Sequence, residues 1–111
     1  MTQRTGMMLR GAVLAMAAAA AMTASAAPDL AAEKAKACAA CHGANGISTS
    51  PLFPHLAGQP AIYLAKQLQA FRSGERRNEM MDIIARSLSD EDIRILSEYF
   101  ESLPACAGQP Q

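Results

Sequence analysis

The sequence predicts a small all-α domain, with three main helices and a short fourth, and three observations carry that prediction. Apolar residues recur at helical spacing in two segments: Tyr63, Leu64, Leu68 and Phe71, then Ile93, Leu96, Phe100 and Leu103. A third segment, residues 30–41, is rich in alanine, the residue most favourable to helix. No run reads as a strand, and no internal repeat is present.

The helix predicted over 30–41 has Asp29 placed as its N-cap and Glu33 near its start. Leu30, Ala37, Cys38 and Cys41 share roughly one face of it, and Gly43 ends it. From Gly43 to Gly58 the chain is broken by Gly46, Pro51 and Pro54, with several serines and Asn45, which predicts an irregular loop. Its apolar residues Leu52, Phe53 and Leu56 need burial somewhere. The second helix is predicted over 60–72, with Pro60 in its first turn and Gly74 just past its end. Lys66, Gln67 and Gln69 cover its other side. Residues 73–79 read as a polar surface loop around Arg76, Arg77 and Asn78, and a short helix follows over 80–86. Ser89 opens the last helix, with Asp92 in capping-box register and Asp90 and Glu91 in the first turn. Pro104 stops it.

The chain has 111 residues, ten basic and ten acidic, and half its residues are hydrophobic. Much of that hydrophobicity lies in the first 27, so the average misleads. Arg4 and Arg10 precede an apolar run over 11–22, and small residues follow over 23–26. This pattern predicts a secretory signal peptide over 1–26, cut after Ala24-Ser25-Ala26. A run of twelve falls well short of the ~20 residues that span a bilayer. The arginines are not paired, so the general secretory route fits better than the twin-arginine one. The mature domain is then residues 27–111, with 104–111 a flexible tail. Loss of Arg4 and Arg10 leaves it two more acids than bases, and no sustained basic stripe points to nucleic acid.

The chemistry centres on Cys38-Ala39-Ala40-Cys41-His42. Two cysteines three apart with histidine next is the spacing that attaches a c-type haem. Two thiols one helical turn apart reach both vinyl groups of one porphyrin edge, and the histidine then lies under the ring as the proximal ligand. A zinc site needs a second ligand pair, and only Cys106 and His55 remain, at no recognisable spacing. A thioredoxin-type pair needs a preceding strand, which is absent. A bound haem also answers the size problem, since a domain this small buries only about 60% of its unfolded surface. It offers a face for Leu52, Phe53 and Leu56, and its attachment outside the cytoplasm suits the predicted export.

One axial position remains. Of seven methionines, five lie in the predicted signal, leaving the neighbours Met80 and Met81. One of them can ligate the iron; the alternative is that both fill core gaps. Adjacent helical residues point about 100° apart, so only one faces the iron, and spacing leaves the choice open. His55, thirteen residues after His42, is the other candidate, expected instead to stay on the proximal side at the surface.

Residues 35–104 resemble a class I cytochrome c, most nearly the small cytochrome c553 and cytochrome c4 types of the bacterial periplasm. The resemblance rests on CxxCHG, the proline-rich loop ending in LAGQ, Tyr63 and Gln67-Leu68 in the second helix, and Met before Leu88-Ser89-Asp90. Cytochromes of the c4 type carry two such domains in tandem, whereas this chain has one CxxCH motif. The resemblance implies a class I cytochrome c fold packed around one haem. It implies thioethers at Cys38 and Cys41 and proximal ligation by His42. It also implies distal ligation by Met81 rather than Met80, and a backbone carbonyl from Pro54 to the other ring nitrogen of His42.

The expected function is one-electron transport in the periplasm between redox protein donors and acceptors, with no substrate site and no catalysis. Contact with membrane oxidoreductases is expected to be transient at most. Two other readings are a haem subunit of a periplasmic dehydrogenase and a ligand-binding sensor with a labile methionine. Lys66, Arg72, Arg76 and Arg77 either steer an acidic partner or simply solvate a helix end, the second being favoured. Cys106, the odd cysteine, either joins two copies by a disulfide or is an inert thiol, again the second being favoured.

Overall fold

The computed structural model describes residues 1–2, 11–12 and 26–106, with side chains of the first helix from Leu30 onward. The predicted signal peptide therefore lies almost wholly outside the described residues, as do residues 107–111 of the expected tail. Four helices follow in order: α1 Ala26–His42, α2 Ala61–Ser73, α3 Glu79–Arg86 and α4 Asp90–Ser102. No strand occurs among the described residues.

The described part of helix α1 runs back to Ala26, four residues before the predicted start, so Asp29 lies inside it and is not its cap. Ala26 and Ala27 extend the favourable composition. Burial along α1 falls on alanines. Leu30 is half exposed and Ala37 is exposed; Ala31 and Ala35 are buried instead. Ala35 joins Leu64, Leu96 and Phe100 in the core.

Helix α2 begins after Pro60, which occupies the N-cap rather than the first turn. Pro60 has no side-chain donor or acceptor to offer, so Glu101 Oε1 on α4 accepts the Ala61 N–H instead, at 3.0 Å. Leu64 and Phe71 are buried and Leu68 is half-buried, but Tyr63 is half exposed. Gly74 ends the helix at φ 81°.

Helix α3 is capped by Asn78, read from sequence as a loop residue. Its Oδ1 accepts the N–H groups of Met80 and Met81 at 3.1 and 2.9 Å, while the Asn78 N–H donates to Asp82 Oδ1. Helix α4 has the predicted capping box: Ser89 Oγ accepts the Asp92 N–H, and Asp92 Oδ2 accepts the Ser89 N–H. Ile93, Leu96 and Phe100 are buried as its stripe predicts.

Helices α3 and α4 both pack on α2, and α1 packs on α4. Among the described residues, α1 and α3 do not touch. The α2–α4 frame holds them apart.

Asp92 also clamps α1 to α4 by accepting from Lys34 Nζ. The Lys34 ammonium, then the Ser89 backbone and hydroxyl groups, hold its carboxyl down to about 2. A carboxylate depressed in the fold stabilises it above the unfolded value of about 3.9, and that contribution is lost as pH falls toward 2. Thermal midpoints should therefore show Asp92→Asn less stable than wild type near pH 5, with the gap narrowing between pH 4 and 2.

Candidate haem site

The last turn of α1 presents Cys38, Cys41 and His42. Cys38 packs half-buried against the Ala35–Leu96–Phe100 core, and burial pushes its thiol up from the ordinary value. Cys41, one turn on, is also half-buried. Gly43 at φ 87° turns the chain out of the helix, its N–H still bonded to Ala39 O at 2.9 Å.

His42 is buried, at 7% exposure. Its Nδ1 lies 2.7 Å from Pro54 O. A carbonyl only accepts, so Nδ1–H donates and carries the ring proton. The Nε2 lone pair is then the one available to a metal. The Phe53 ring lies edge-on to the imidazole, with centroids 6.1 Å apart at 61°. Buried ring, defined tautomer and two thiols one turn apart on the same helix form the donor set that a covalently attached haem requires.

The loop that supplies Pro54 is closed on itself. Gly46 O accepts from Leu56 N–H and Ala57 N–H at 2.8 and 3.1 Å. Beyond it, Gly58 N–H donates to Phe100 O on α4, which fixes the loop to the frame. Phe53 and Leu56 are half-buried by the protein itself, and Leu52 is 82% exposed. Leu52 sits at the tip of a turn, where Ser50 Oγ accepts its N–H.

Across the frame, Met81 is half-buried on the helix face of Ala85, which is fully buried one turn later. Met80 is 53% exposed and shares its side of α3 with exposed Ile83. His55 is exposed, with Nδ1 accepting the Ser48 N–H at 2.8 Å. Among the described residues, no group of three His, Cys, Asp or Glu side chains is placed to hold a metal ion unaided.

Three of the four basic residues singled out in the sequence have intramolecular partners. Arg72 donates to Leu88 O and pairs with Asp90. Arg76 donates to Gln67 and lies over the Phe71 ring, 4.5 Å from its centroid. Arg77 pairs with Asp82. Cys106 is exposed and unbonded.

The Cytochrome c family model matches residues 29–104. The chain is 45% identical over 69 residues to the thiosulfate dehydrogenase electron acceptor of Stutzerimonas stutzeri, covering 60% of this chain and 32% of that protein. It is 41% identical over 68 residues to cytochrome c-554(548) of Halomonas halodenitrificans, covering 59% of this chain and 82% of that one. The fold superposes on the solved cytochrome c4 of Acidithiobacillus ferrooxidans with a TM-score of 0.65 at 31% identity, over 70% of this chain and 50% of that one. The chain thus spans about a third of the first of these proteins and half of the last. The match runs through every helix and through the motif ending at His42, so the chain belongs to the cytochrome c family and carries one haem c, held covalently through Cys38 and Cys41.

Proposed function

We propose that this chain is a one-electron carrier of the bacterial periplasm, with His42 and Met81 as the axial ligands of its haem iron. The observation that carries the reading is the His42 Nδ1–H bond to Pro54 O at 2.7 Å. It orients the ring, selects the tautomer with Nε2 free, and raises the basicity of that nitrogen.

The bound haem supplies an Fe(II)/Fe(III) couple, and the protein's part is to keep that couple closed to everything except electrons. Cys38 and Cys41 anchor it, His42 holds one side, and the Met81 thioether on α3 closes the other. A thioether favours Fe(II) over a harder ligand and raises the potential. The half-buried position of Met81 on the Ala85 face supports it over Met80. With both positions filled there is no substrate site, so the protein is a carrier and not an enzyme.

Its donors and acceptors are redox proteins, met transiently. Export is supported by the charged, apolar and small-residue pattern of residues 1–26. No helix among the described residues is long and apolar enough to cross a membrane. A second reading, acceptance of electrons within a periplasmic dehydrogenase complex, is favoured by the 45% identity to a thiosulfate dehydrogenase electron acceptor. In an oxidising compartment the exposed Cys106 is free to join two copies, which a non-reducing gel would read.

The test is the visible spectrum of the exported holoprotein, oxidised, reduced, and reduced under carbon monoxide. Sharp low-spin bands, a weak sulfur-to-iron band when oxidised, and no shift under carbon monoxide are expected. A high-spin spectrum or ready carbon monoxide binding would replace the carrier with a sensor or catalyst.

A further inference from the structure

The loop between Gly43 and Gly58 has to present one backbone carbonyl, that of Pro54, to His42, yet it contains no helix or strand to hold it. Backbone bonds to Gly46 O close it, and side-chain bonds brace the part between. Ser48 is buried at 8% exposure, and its backbone N–H has no carbonyl partner. The imidazole of His55 fills that role, with Nδ1 accepting at 2.8 Å. Ser48 Oγ in turn donates toward Ser50 O at 3.0 Å and lies 3.4 Å from Cys41 O. The contacts therefore close a circuit. Cys41 adjoins His42 in the chain, Cys41 O meets Ser48, Ser48 N–H meets His55, His55 adjoins Pro54, and Pro54 O meets His42 Nδ1.

We propose that His55 is a positioning residue for the proximal ligand: by accepting the Ser48 N–H, its Nδ1 holds the loop in the shape that keeps the Pro54 carbonyl on His42. The proposal rests on His42 being an iron ligand. A carbonyl drawing on Nδ1–H gives the imidazole anionic character, which favours Fe(III). Slackening the circuit removes part of that effect and moves the equilibrium toward Fe(II). His55 is exposed, so its truncation leaves no cavity and the effect has to travel through the hydrogen bond.

The test compares His55→Ala with His55→Asn in the exported holoprotein. Asparagine carries an acceptor oxygen near the position of Nδ1, whereas alanine carries none. For His55→Ala, the Ser48 amide should exchange with solvent at least tenfold faster. The redox equilibrium should move about threefold toward Fe(II), a rise of about 28 mV for a one-electron couple. His55→Asn should restore both. An unchanged potential in His55→Ala, with normal low-spin His/Met bands, overturns the role of His55 and leaves the ligand assignment standing. Equal shifts in both variants, or a shift with the Ser48 amide still protected, overturn it as well. Loss of the low-spin spectrum in the wild type itself would overturn the ligand assignment and this proposal together.

Discussion

Met81→Ala is expected to open the sixth coordination position, while Met80→Ala leaves it closed. The two methionines are neighbours on α3, and Asn78 caps both backbone N–H groups, so either substitution preserves the helix start. They differ in direction. Met81 shares the face of fully buried Ala85, and Met80 lies on the exposed side with Ile83. The oxidised Met81→Ala protein should lose the sulfur-to-iron band, and its reduced form should bind carbon monoxide. Its potential should fall by a tenth of a volt or more, a modest part of the ~0.8 V that axial ligands span. Met80→Ala should change none of these. The reverse pattern would assign the ligand to Met80, and no change in either variant would remove methionine ligation altogether.

Gly43→Ala is expected to be the most destabilising single-methyl change in the loop. Gly43 sits at φ 87°, and a Cβ there would meet Ile47 O at 2.0 Å and Ile47 C at 2.7 Å. Both atoms are backbone, so neither can swing aside. Left-handed geometry alone costs an L-residue ~1–2 kcal/mol, and displacing the loop adds more. A total of about 3–5 kcal/mol places the change among the severe ones. Because Gly43 follows His42 directly, the shift should also disturb the Pro54 bond, which the potential would report. Gly74 supplies the control. It has a similar φ of 81°, but the nearest atom to an added Cβ is the end of the Arg77 side chain at 3.7 Å. Gly74→Ala should therefore cost only the backbone term, about 1 kcal/mol. Denaturant unfolding of the three proteins separates the two contributions; equal costs would mean the Ile47 clash is relieved by a cheap loop movement.

Some features were legible because their causes are local. The Ser89–Asp92 capping box uses residues three apart, and the α4 stripe repeats at the helical period, so both could be read directly. Asn78 was readable by the same logic and was missed, since its polar neighbours Arg76 and Arg77 made the segment resemble a loop. Which residues of α1 are buried could not be read locally: Ala31 and Ala35 are buried and Leu30 is half exposed. Only the partner helix makes that visible.

By itself the sequence determined the all-α class, the haem-attaching motif of Cys38, Cys41 and His42, and the limit of two thioether donors, Met80 and Met81, within residues 27–111. These follow from short-range spacing and from a count of residue types. Tertiary structure alone decided what holds the Ser48 N–H and which residues of α1 are buried. Each of these depends on where a loop or a second helix comes to rest. Pro54 lies twelve residues from His42 in the chain and 2.7 Å from it in the fold, a contact made only when Gly43, Gly46 and the Ser48–His55 bond have turned the loop back.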